Sequence, residues 1–134
     1  MTEGPPRAPF VELIGARVED AGDGRTRVVL LLTEDHTNPN GVAHGGIATT
    51  LMDSAAAVAL NELKRARGRQ NTVQATVEMN ASLIAAARPG EEIVAEGRVL
   101  SMGRSVAFVE AEVRRVRDDE LLAKGRFTFA LRDR

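Results

Sequence analysis

His36-Thr37-Asn38-Pro39-Asn40-Gly41-Val42-Ala43-His44-Gly45-Gly46 runs straight into Ile47-Ala48-Thr49-Thr50-Leu51-Met52-Asp53. Asn38, Pro39, Asn40 and Gly41 break regular structure, so the stretch opens as a polar loop. A long helical pattern, rich in small residues, follows from about His44 to Lys64. The first N–H groups of such a helix have no partner within it and carry the positive end of its dipole. Gly45 and Gly46 remove side chains there, so an oxygen can approach those N–H groups closely. This is the physical form of an oxyanion site.

Asp53 lies eight residues past Gly45, which is about 12 Å along a helix axis. One reacting carbonyl cannot touch both groups of one helix. If both do chemistry, a second copy of the chain must supply one of them. Two such helices packed antiparallel about a twofold would bring Asp53 of each near Gly45 of the other, as an isologous dimer arranges.

Outward from this stretch, 134 residues suit a single domain, 1–134, with a core of its own. Residues 1–9, with Pro5, Pro6 and Pro9, read as a loose arm. A short helical turn is expected from Phe10 to Ile14, ended by Gly15. Gly22-Asp23-Gly24 marks the turn of a hairpin over 16–32. In the helix, Ile47, Leu51, Ala55, Val58 and Leu60–Leu63 mark an apolar side. Gly68 is the expected C-cap, and Arg65 to Arg69 reads as a solvated, basic helix end.

After Asn71 the period changes to two. Val73, Ala75, Val77, Met79, Ala81 and Leu83 share one expected face, with Thr72, Gln74, Thr76, Glu78, Asn80 and Ser82 on the other. Further strands are expected over 91–102, 105–116 and 121–131, and 71–131 reads as an antiparallel meander. One sheet wrapped around one helix is the simplest α+β arrangement that buries the helix.

Composition removes several functions. A net charge of −1 gives no nucleic-acid or membrane surface, and there is no Cys for disulfides or thiolate catalysis. No apolar run approaches the roughly 20 residues of a membrane span. No secretory signal is visible after Met1, so the expected location is cytoplasmic. His36, His44 and Asp53 lack a zinc spacing, and the loop has no Lys-Ser/Thr after its glycines, so it is no P-loop. His36 is read as an anchor of the loop.

The pattern His-Thr-Asn-x-x-Gly-x-x-His-Gly-Gly, with an Asp eight positions after the first glycine of its final pair, resembles the hot-dog-fold acyl-CoA thioesterases. It is most similar to their phenylacetate-degradation (PaaI-like) type. Ala75-Thr76-Val77-Glu78-Met79-Asn80 also resembles the family's strand after the helix. The resemblance runs from about Phe10 to Leu131. It implies hydrolysis of an acyl-CoA thioester to a free acid and CoA. It places the Gly45 N–H on the thioester carbonyl, with Asn38 holding the carbonyl or water. Asp53 of the partner subunit would be the general base or the nucleophile. Thr76 would orient water beside that Asp, and His44 would shape the loop and contact the thiolate side. Asn40, beside Asn38, leaves open which amide faces the substrate. No cofactor is implied, because CoA is part of the substrate. A homo-oligomer is implied, a dimer as the active unit and a tetramer as the assembly. CoA phosphates could be held by Arg65, Arg67 and Arg69, or by Arg88. Two rivals share the fold: an acyl-thioester dehydratase or hydratase, and a non-catalytic acyl-CoA-binding module. An acid following HGG within the helix favours hydrolysis.

Overall fold

A computed structural model describes residues 8–134. Most of the expected N-terminal arm lies outside them. Pro9 is not part of an arm: it opens the short helix α1, Pro9–Leu13. Its fixed φ and missing N–H suit the first helical position.

Strands β1 (Arg17–Gly22) and β2 (Arg25–Leu31) form the expected hairpin. The loop follows, and then α2, Gly45–Ala66. At 22 residues α2 is about 33 Å long. It ends at Arg67, and Gly68 takes the left-handed φ of +71° that a residue just past a helix end favours. Strands β3 (Thr72–Leu83), β4 (Glu92–Met102), β5 (Val106–Arg115) and β6 (Leu121–Asp133) complete the chain.

All six strands form one antiparallel sheet in the order β1-β2-β4-β5-β6-β3. This corrects the simple meander. β4, β5 and β6 do follow one another, but β3 pairs with β6 at the far edge, not with β4. The shift lets the sheet curl around α2. Leu51, Met52, Ala55, Ala56 and Leu60 of the helix pack on Val28, Leu30, Ala95, Val109, Phe127 and Phe129. The helix backbone nearly touches the sheet at Gly97, where a Cβ would lie 2.7 Å from the Ala55 carbonyl oxygen. The small residues of α2 and this glycine together allow that approach.

The alternation expected along β3 also needs correcting. Thr76 pairs with Phe129 and Glu78 with Thr128, so Val77 is an extra residue with no partner. This bulge switches the faces. Before it, Gln74 and Thr76 look toward α2: Gln74 Nε2 donates to the Ala57 carbonyl at 3.0 Å, and Thr76 reaches Asp53. After it, Ala81 packs on the core and Leu83 lies against Gly45. Val77 is 62% exposed on this edge strand.

Among the described residues, no helix is long and apolar enough to cross a membrane.

Candidate active site

The loop before α2 is held by its own backbone. Asn38 N–H donates to the Val42 carbonyl and Gly41 N–H to the Asn38 carbonyl, each at 2.9 Å. Gly41 adopts a φ of +77°, which suits a residue without a Cβ. The Asn38 side-chain oxygen accepts from Asn40 N–H at 2.9 Å, closing an Asx turn.

His36 is the anchor the sequence suggests. It is buried, its Nδ1 accepts from Thr33 N–H at 2.9 Å, and its Nε2 donates to the Ile14 carbonyl at 2.7 Å. The backbone donor on Nδ1 assigns the proton of the neutral ring to Nε2. His36 also accepts from His44 N–H through its carbonyl at 2.8 Å, so one residue ties α1, the loop and the start of α2 together.

His44 is the N-cap of α2, and its Nδ1 accepts from Gly46 N–H at 2.8 Å. The Gly45 N–H, by contrast, has no acceptor among the described residues. It is the free donor at the positive end of a 22-residue helix. A Cβ on Gly45 would meet only Leu83 Cδ1, at 2.6 Å.

A cavity of about 320 Å³ opens here. Asn38, His44 and Gly45 stand on one side, and Ile47, Ala48, Ile93, Val113 and Leu122 form an apolar interior. Leu83 and the connecting segment Ile84-Ala85-Ala86-Ala87 complete the lining. Asn40 is exposed and takes no part in the lining.

Asp53 and Thr76 also lie outside that cavity. They meet on the flank of α2 beside the β3 edge, where Thr76 Oγ1 donates to Asp53 Oδ1 at 2.7 Å. Asp53 is half-buried. The five expected site residues therefore form two groups within one chain: Asn38, His44 and Gly45 at the helix start, Asp53 and Thr76 two turns on.

The expected basic helix end is only partly solvated. Arg65 and Arg67 are exposed, but Arg69 donates to the Gly103 and Arg104 carbonyls at 2.8 and 2.9 Å. Lys64 is buried, and its Nζ donates to the Thr72 carbonyl at 2.7 Å. Among the described residues, no group of three or more His, Cys, Asp or Glu side chains could hold a metal ion.

Sequence reasoning misses the part of the cavity lining that residues 84–87 supply. Pro89-Gly90 marks residues 85–90 as a turn, and only the run Ile84-Ala85-Ala86-Ala87 hints at an apolar lining.

The class these observations define is a hot-dog-fold thioester hydrolase. The chain belongs to the Thioesterase superfamily, whose sequence pattern matches residues 40–122. It is 33% identical over 108 residues to human acyl-coenzyme A thioesterase 13, covering 81% of this chain and 74% of that one. A conserved protein of Pseudomonas aeruginosa superposes with a TM-score of 0.84 at 34% identity, over 94% of this chain and 95% of that one. A mutant of the phenylacetic acid degradation protein PaaI from Thermus thermophilus superposes with a TM-score of 0.81 at 26% identity, over 92% and 98%. The resemblance carried by the HGG loop holds.

Proposed function

We propose that the protein hydrolyses acyl-CoA thioesters, with arylacyl groups among its substrates. One observation carries the reading. A free helix-terminal N–H opens on an apolar cavity, while the carboxylate best suited to activate water sits eight residues along the same helix, outside that cavity. A partner chain packed antiparallel on α2 joins the two groups into one site, so the active unit is a dimer. A tetramer built from two such dimers is the expected assembly.

In this reading the acyl group enters the cavity and its carbonyl oxygen accepts from Gly45 N–H. Negative charge that develops on that oxygen during attack is stabilised by the fixed donor, an effect worth about 3–4 kcal/mol. Asn38, on the cavity wall, helps to hold the carbonyl or the attacking water. Asp53 of the partner subunit takes a proton from water as that water attacks the carbonyl, or attacks the carbonyl itself to give a mixed anhydride that water then hydrolyses. Thr76 holds the carboxylate in place. The carbon–sulfur bond breaks, and CoA leaves as a thiolate. His44 keeps the helix start in register through Gly46 N–H. The names of the human relative and of the Thermus thermophilus protein support the CoA ester and the arylacetyl group respectively.

Thiol release from a panel of acyl-CoAs tests this: phenylacetyl, hydroxyphenylacetyl, benzoyl, and short to long aliphatic. Asp53-dependent release is the expected result. Binding of acyl-CoA without release from any member would replace it with a binding module. A single turnover in ¹⁸O-water bears on the role of Asp53: label in its carboxylate shows a mixed anhydride opened at the Asp53 carbonyl, which a general base cannot give.

A further inference from the structure

The segment 84–91, whose residues 84–87 line the cavity, carries no regular structure of its own between β3 and β4. Its position is set from outside. Ile84 and Ala85 donate to the Leu122 carbonyl, and Gly90 donates to the Leu32 carbonyl, so its two ends are tied to β6 and to the end of β2. Between them, the Ala87 carbonyl accepts from Ala43 N–H at 2.8 Å. That bond joins the segment to the loop that carries Asn38 and His44.

Two cations add further ties: Arg117, whose Nη2 lies 3.1 Å from Glu91 Oε2, and Arg115. Arg115 is the last residue of β5, two past Val113 on the helix-facing side, and only 9% exposed. It pairs across the sheet with Ile93, another lining residue. Its guanidinium donates from Nη2 to the Ala86 carbonyl at 2.9 Å. Nη1 donates to Asp118 and Glu120 at 2.9 and 2.8 Å, and Glu91 lies 3.0 Å from Nε. Glu91 in turn accepts from Arg88 N–H at 2.7 Å. A planar, five-donor fork can hold one carbonyl and several carboxylates at once. An ammonium group has three donors on a flexible stem and no fixed fork.

We propose that Arg115 is a positioning residue for substrate selection: by clasping the Ala86 carbonyl it fixes the 84–87 wall of the cavity and so sets which acyl groups fit. This rests on the reading that the acyl group occupies the cavity. Arg115 does not touch the substrate. Its effect is carried by the wall, and it falls on bulky acyl groups more than on small ones.

The test compares kcat and KM for acetyl-, octanoyl- and phenylacetyl-CoA in the full-length oligomer. Arg115→Lys keeps a cation among the three carboxylates and loses the fork. The expected result is a five- to tenfold fall in the octanoyl-to-acetyl ratio of kcat/KM, about one hydrogen bond's worth, carried mainly in KM. Asp118→Asn, at a half-exposed position, moves the ratio the same way by about twofold and stands in if Arg115→Lys does not fold. Arg114→Lys loses comparable ion pairs to Glu112 and Asp119 and serves as the control with no change in ratio. Ala48→Leu, inside the cavity, reads the underlying assignment separately. If Ala48→Leu shifts the ratio and neither Arg115→Lys nor Asp118→Asn does, the positioning role is overturned and the acyl pocket stands. If Ala48→Leu leaves the ratio alone, the acyl group lies elsewhere and both readings fall.

Discussion

Thr76 donates its hydroxyl hydrogen to the Asp53 carboxylate across 2.7 Å, one residue before its strand changes face. The bond fixes one carboxylate oxygen and leaves the other to act. Asp53→Asn keeps an oxygen that can accept from Thr76, so the fold and oligomer should survive. Turnover should fall by about 10²–10⁴-fold, the range for a lost general acid–base group. Thr76→Val should cost less, roughly five- to tenfold, because it loosens the carboxylate without removing it. Steady-state thiol release on both variants checks this, and wild-type rates in Asp53→Asn would remove Asp53 from the chemistry.

The Gly45 N–H can be deleted without breaking the helix. Proline is favoured at the first helical position, and His44 already has the φ of −59° and ψ of 138° that a residue before proline adopts. Gly45→Pro should lower kcat by about 10²–10³-fold, the cost of one oxyanion donor. Gly45→Ala keeps the N–H and meets only the movable end of Leu83, so it should retain far more activity. Equal losses in the two variants would mean that space, not the donor, is what matters there.

Sharing of the site between chains makes a separate prediction. Asp53→Asn and Gly45→Pro subunits, each nearly inactive alone, should regain activity when mixed. Each heterodimer contains one site with both groups intact. Activity should rise toward half that of the wild type per heterodimer, measured on dimers purified with two different tags. No recovery in those heterodimers would overturn the two-chain site.

Gly97 tests the support beneath the helix. A Cβ there would lie 2.7 and 2.8 Å from the Ala55 carbonyl oxygen and carbon, which are backbone atoms with little room to retreat. Gly97→Ala should destabilise the fold by about 1–3 kcal/mol, the usual cost of overpacking. Urea unfolding measures it. Because Ala55 is two residues past Asp53, turnover should drop as well.

Lys64 gives the fold a pH dependence. Burial lowers its pKa from the usual 10.5, and the charge of Arg69 lowers it further. Between that lowered value and 10.5, the unfolded chain binds more protons than the folded one, so stability rises with pH across this window. The cost of the buried charge is full below the folded pKa and gone above about 10.5. Lys64→Met removes it at every pH. Thermal melts from pH 7 to 10.5 should therefore show wild type gaining on Lys64→Met as pH rises. A constant difference would mean that Lys64 titrates normally.

The loop and the start of α2 were legible because their signals are local. Asn, Pro and Gly at 38–41 demand a turn, and Gly45-Gly46 after a capping residue opens a helix. The place of β3 at the far edge was not legible, because pairing with β6 depends on contacts some fifty residues away. Nor was the bulge. Val73 to Leu83 alternates in sequence without a break, and an extra residue leaves no mark in composition. Thr76 consequently read as part of a polar face, when it looks inward at Asp53. Residue type does not mark Lys64 and Arg115 as buried, and their burial follows from carbonyl and carboxylate partners that the sequence does not bring together.

Val77 has a consequence for how this strand tolerates change. Its side chain is exposed and has no cross-strand partner, so many residues would serve there. Its presence as a count is another matter. Deleting one residue at 77 would make the ladder continuous and rotate everything on one side of it by half a turn. Either Thr76 would leave Asp53, or Leu83 would leave Gly45. The strand can be rewritten letter by letter, but it cannot be shortened by one.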